Sequence, residues 1–225
     1  MGLSDRDTRM DFSRQAQGLR ILAFLEAEDL KPVVVAHSFG AGAAVEAMMA
    51  SPDSFEGAII VAGALSLGQD GTGLTMHAPL RSGRVREAAV ASTVTNPYAT
   101  KWLFQRFVHR KDSITDDIVE VLEHPFKRAG TTETLAQWLP TLILPPREAA
   151  SSNPTNYASL EVPVALIWGR EDAVTPPDQA NALGLAMNNA PIFWLGHTGH
   201  IPQIEAPQAF HETLINALAV VAAGG

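Results

Sequence analysis

The 225-residue chain is long enough for one α/β domain of ordinary size, or for a core carrying an inserted subdomain. With 46% hydrophobic and 18% charged residues it has the composition of a globular protein, and no run reaches the roughly 18 apolar residues of a membrane span. A formal net charge of −8 works against binding a nucleic-acid backbone, and the absence of cysteine excludes disulfides, iron–sulfur clusters and thiolate metal sites.

The first residues, MGLSDRDTRMDFSRQ, lack the apolar core of a secretory signal, so a cytoplasmic location is the expectation. From about Asp11 to Leu30 apolar residues recur at helical spacing, and Lys31-Pro32 closes the pattern. The valine run that follows, Val33 to Val35, shows no alternation and predicts a strand covered on both faces. Gly57 to Gly63, Val162 to Gly169 and Ala190 to Gly196 have the same character. Helical stretches separate these four runs, which predicts a mostly parallel sheet with flanking helices, an α/β fold. Between Gly68 and Glu161 the pattern becomes helical with interleaved charges. The expected organisation is therefore a first core part over 1–68, a helical cap over 69–160 and a second core part over 161–225.

At Ala36-His37-Ser38-Phe39-Gly40 an apolar strand passes directly into the alanine-rich run AGAAVEAMMA. A serine on such a turn is exposed above the sheet, and flanking side chains larger than Ala or Gly are expected to clash as the helix doubles back. The turn also directs the first free amides of the helix toward one point, which makes the Phe39 N–H a candidate oxyanion donor.

This small-x-Ser-x-small corner resembles the nucleophile elbow of the α/β-hydrolase superfamily, with Ala36 in place of the commoner glycine. The segment GREDAVTPPDQA after the third apolar run is similar to the loop that supplies the family's triad acid, matching Asp172. The closing GHTGHIPQIEAPQAF is similar to the family's Gly-His followed by Glu-x-Pro, matching His200, with His197 as a second candidate. Asp70, after the second run, is an alternative acid because some members place theirs there. The resemblance thus implies a Ser38, Asp172, His200 triad in a serine hydrolase, with a small-molecule substrate, no cofactor and no metal.

The same resemblance implies that GLSDR follows a fourth strand of the full fold, so the strands before it and a His-Gly loop with a second oxyanion amide have no counterpart here. Activity is then expected to be weak, and the Val33 to Ala36 strand is expected to form an uncovered sheet edge. A homodimer joined there is one expected way of covering it. His37, Trp102, Phe107 and Trp138 are candidate lining residues of an apolar substrate pocket. The expected substrate is a small or medium carboxylic ester. Related families cleave carbon–carbon bonds of dienone acids, for which Arg106, Arg110 or Arg128 would bind the carboxylate, or act as cofactor-free haloperoxidases or perhydrolases. The competing expectation is a weakly active or inactive homologue that binds a ligand or partner.

Overall fold

Each of the four apolar runs forms a strand in the computed structural model, which describes residues 2–69, 78–146 and 148–224. They are β1 (Val33–His37), β2 (Gly57–Val61), β3 (Val164–Gly169) and β4 (Ile192–Leu195), all parallel, in the spatial order β1-β2-β3-β4. Between them run α1 (Arg14–Ala27) before β1 and α2 (Gly40–Ala50) before β2. The helices α3 (Gly83–Ser92), α4 (Pro97–Gln105), α5 (Asp116–Glu123) and α6 (Thr131–Ile143) separate β2 from β3. Helix α7 (Pro177–Ala186) precedes β4, and α8 (Pro202–Glu205) and α9 (Pro207–Ala223) end the chain.

The absence of alternation in β2 and β3 has a simple cause, since both faces of the sheet are covered. Ile60, Leu166 and Trp168 point into a core shared with α1, α2 and α7, whereas Ile59, Val61, Ala165 and Ile167 meet Ala217 and Val221 of α9. The register pairs Ile59 with Ala165 and Val61 with Ile167, so each face is apolar across neighbouring strands. Small residues in α2 let α1 approach closely. A Cβ on Gly18 of α1 would lie 3.0 Å from Ala43 O and Ala47 N.

Helix α1 is shorter than the periodicity predicts. It starts after Ser13, whose side chain accepts from the Ala16 amide, and stops at Ala27. It buries Leu25, with Ile21 and Leu22 partly covered, but Leu19 and Phe24 face outward at 63% and 57% exposure. Helical spacing gives the period, and only the position of α2 selects the buried stripe. Strand β1 lies at the end of the sheet with β2 as its pairing partner among the described residues, and Val35 on it is 46% exposed.

Gly169, at the end of β3, is where the sheet meets the loop after β4. A Cβ there would lie 2.2 Å from Thr198 O and 2.3 Å from Gly199 O, both rigid backbone atoms. Gly169→Ala is therefore expected to destabilise the protein by about 3 kcal/mol, the upper range for overpacking, as read from the urea midpoint. An unchanged midpoint would mean that this loop moves away without cost. Among the described residues no helix is long and apolar enough to cross a membrane.

Candidate active site

Ser38 continues β1 by donating its amide to Val61 O at 2.9 Å, and then leaves the sheet at φ +52°. A non-glycine residue pays for that left-handed conformation, and here the chain is held to it from two sides. Ser38 O accepts from Ala41 N at 3.1 Å and from Ala64 N at 3.0 Å. Helix α2 begins two residues on, and its Ala41 and Gly42 amides donate back to Ser38 O and Phe39 O, so the Phe39 amide that precedes them is the candidate donor beside the serine.

The crowding expected on both sides of Ser38 is found on one. Ala36 is buried in the core, but a Cβ on Gly40 would meet nothing within 4 Å. Gly40 is exposed, and its missing side chain leaves the space above the turn open. The tight position is Gly42, where a Cβ would lie 2.8 Å from Arg14 Nε. The buried Arg14 guanidinium donates to Leu65 O at 2.8 Å, Ala64 O at 3.2 Å and Ser151 Oγ at 3.0 Å. It ties the loop after β2 to the segment before β3.

The three residues matched by motif come together from three strand ends. Ser38 Oγ lies 2.7 Å from His200 Nε2, and His200 Nδ1 lies 2.9 Å from Asp172 Oδ2. The His200 and Asp172 side chains are 3% and 0% exposed. Burial alone would raise the Asp172 carboxyl. The hydrogen bond and charge of His200, with hydrogen bonds from Thr175, outweigh burial and hold it below the usual carboxylate range. As the ionised acceptor, Asp172 fixes the ring with its proton on Nδ1, which leaves Nε2 free to accept from the serine hydroxyl.

Three further donors, from two neighbouring residues, reach the Asp172 carboxylate. The Val174 and Thr175 amides donate to Oδ1 at 2.8 and 2.9 Å, and the Thr175 hydroxyl donates to Oδ2 at 2.7 Å. Thr175 had no role in the motif reading, although its place in GREDAVTPPDQA, three residues after the acid, suits a turn that folds back on its own carboxylate. Trp168 Nε1 in turn donates to Thr175 O at 2.8 Å.

His37 supports the histidine from beneath. Its Nε2–H donates to His200 O at 2.8 Å, and the ring centroids are 5.1 Å apart. Burial lowers the His37 pKa from 6.5, against the opposing effect of the bond to His200 O. Because the folded value lies below the unfolded one, protons favour the unfolded chain between the two. Stability contributed by neutral His37 is complete above 6.5 and is lost as the pH falls through the lower folded value. Urea midpoints measured on either side of this range are expected to fall toward acid, and to fall less in His37→Gln, which keeps a donor but does not titrate. Equal declines in both proteins would remove His37 as the cause.

The other candidates separate. Phe107 accepts His200 N at its carbonyl at 3.0 Å, with its ring centroid 6.3 Å from that of His200. Trp138 meets the Phe39 ring edge-on at 5.2 Å. Trp102, expected among the pocket residues, is 60% exposed and carries the Arg106 guanidinium 5.6 Å from its ring centroid, an outward-facing pair. Helix α4 turns that face to solvent, which its spacing alone could not indicate. His197 is exposed at φ +54°, and Asp70 lies outside the described residues. A cavity of about 460 Å³ lies beyond Phe39, lined by Ser13, Arg14, Pro140, Thr141 and Leu144 among others. Among the described residues no three His, Asp or Glu side chains converge as a metal site would require.

A family model described as "Alpha/beta hydrolase family" matches residues 1–213. The 2-hydroxymuconate semialdehyde hydrolase of Pseudomonas putida is 25% identical over 190 residues, covering 83% of this chain and 62% of that protein. The chain thus spans less than two thirds of that relative. A 2-hydroxy-6-oxononadienedioate/2-hydroxy-6-oxononatrienedioate hydrolase of Paraburkholderia xenovorans is 25% identical over 217 residues, 93% of this chain and 70% of that one. Among solved structures, a meta-cleavage product hydrolase of Pseudomonas fluorescens superposes with a TM-score of 0.75 at 18% identity, over 97% of this chain and 76% of that one. A thermophilic esterase of Thermogutta terrifontis gives 0.68 at 16% identity, over 93% and 73%. At these identities the superpositions show the fold.

Proposed function

The chain belongs to the α/β-hydrolase family, and on that premise we propose that it is a serine hydrolase cleaving a small or medium apolar carboxylic ester, or a similar acyl compound, through an acyl-enzyme. The observation that carries this is the unbroken chain from Ser38 Oγ to His200 to Asp172, at 2.7 and 2.9 Å, on a strained turn at the end of a strand. His200 Nε2 takes the hydroxyl proton as Oγ bonds to the acyl carbon, and Asp172 stabilises the imidazolium that forms. The Phe39 N–H supports the oxyanion. His200 then returns the proton to the leaving alcohol as the ester C–O bond breaks. Water, deprotonated in turn by His200, releases the acid and restores Ser38.

The ester reading is supported by the surroundings of the elbow. Its walls there are Phe39 and Trp138, and the buried Arg14 guanidinium donates to two carbonyls and a serine. Arg106, Arg110 and Arg128 are exposed, and Arg128 donates to Leu3 O. A second reading, hydrolysis of a carbon–carbon bond in a dienone acid, is favoured by the names of the curated relatives. Fluorophosphonate labelling of the purified chain, lost in Ser38→Ala and in His200→Ala, tests the shared mechanism. Relative kcat/KM on p-nitrophenyl butyrate and on a 2-hydroxy-6-oxo-dienoate tests the substrate class. A folded chain that does not label would favour a ligand- or partner-binding homologue.

A further inference from the structure

Glu205 is 1% exposed and takes no part in the proton path, yet its carboxylate joins two distant segments. Oε2 accepts from His109 N at 2.8 Å and Arg110 N at 2.9 Å, in the helical block between α4 and α5. Oε1 accepts from Gly199 N at 2.8 Å, in the loop that carries His200. The two segments also meet directly, through the bond from His200 N to Phe107 O. They lie so close that a Cβ on Gly199 would stand 2.6 Å from His109 N and 3.1 Å from Val108 C.

We infer that Glu205 is a positioning residue whose carboxylate straps the helical block to the histidine loop, so that the register of His200 against Ser38 depends on where that block sits. The inference rests on the serine-hydrolase reading above. Its chemistry is that of a charged acceptor with several lone pairs. Three amides converge on two oxygens, and no neutral side chain of the same size can accept at both ends. In Glu205→Gln one oxygen becomes an NH2 group, which must face at least one of the three N–H donors. One end of the strap is then cut with almost no change in volume. Ser38, Phe39 and Trp138, the proposed substrate contacts, are not among the hydrogen-bond partners of Glu205.

The test counts functional sites before measuring turnover. Fluorophosphonate titration gives the number of competent serines, and kcat and KM on p-nitrophenyl butyrate are then expressed per titrated site. For Glu205→Gln, kcat per site is expected to fall about tenfold or more with KM nearly constant, because small misplacements of a reacting group cost up to about 10²-fold. A kcat per site within about twofold of the parent, beside a lowered unfolding temperature, would reduce Glu205 to a structural role and overturn the inference. If Glu205→Gln does not fold, Arg110→Pro carries the same measurement. It deletes one of the three amides at a position whose φ of −89° has the negative sign proline requires, and a smaller loss in kcat per site is expected. A parent chain that fails to label overturns the hydrolase reading itself, a result distinct from a labelled parent with an indifferent Glu205→Gln.

Discussion

Ser38→Ala is expected to lower esterase turnover about 10⁶-fold, the scale seen when a triad nucleophile is removed, and to leave the unfolding temperature almost unchanged. The first half follows from the position of Oγ, which lies 2.7 Å from His200 Nε2, the general base of the proposed mechanism. The second follows from the backbone. Alanine has the same Cβ as serine and bears the same cost at φ +52°, and the bonds from Ala41 N and Ala64 N go to the Ser38 carbonyl, which the substitution keeps. Ser38→Gly separates the two effects. It should be equally inactive, yet more stable by about 1 kcal/mol, because glycine adopts a left-handed conformation without the Cβ penalty. Activity at the parent level in Ser38→Ala would sink the mechanism, whatever the fold does.

Asp172→Asn is expected to cost about 10⁴-fold in kcat, the size of effect found when a triad acid becomes an amide. The cause is tautomeric. Asparagine can offer His200 an NH2 group where Asp172 offers Oδ2, and the ring would then carry its proton on Nε2, facing Ser38 with a donor in place of an acceptor. Turning the amide to present its oxygen to His200 would aim the NH2 at the Val174 and Thr175 amides, which donate to Oδ1 at 2.8 and 2.9 Å. Stability should fall as well. The Asp172 carboxyl is held below its usual value of 3.8, so its contribution is complete above that pH and lost as pH falls through the lower folded value. The asparagine variant should lack this acid-dependent component in urea titrations followed into the acid range. A kcat within tenfold of the parent would mean that another group orients His200.

Much of this site was legible in short segments, because its chemistry depends on local turns. The corner after Val33 to Ala36 sets a serine between a buried Ala36 and an open Gly40, and the two later loops carry Asp172 and His200 shortly after strands β3 and β4. The same holds for the sheet. An unbroken apolar run bounded by turn residues predicts burial on both faces, which β2 and β3 obtain, whereas β1, predicted in the same way, leaves Val35 46% exposed at the end of the sheet.

What the sequence by itself determined was therefore periodic or local: the four strands, the helical block between β2 and β3, and the three residue types at strand ends. The tertiary structure alone decided which faces and which distant backbones meet. It turned Trp102 outward and Phe107 toward His200, although both lie in one aromatic-rich segment. It brought Thr175 under the acid and ran His109 and Arg110 against Glu205, nearly a hundred residues away. No spacing rule could announce that last contact. Its donors are backbone amides, which every residue but proline carries alike, so their identity as partners is written only in the path of the folded chain.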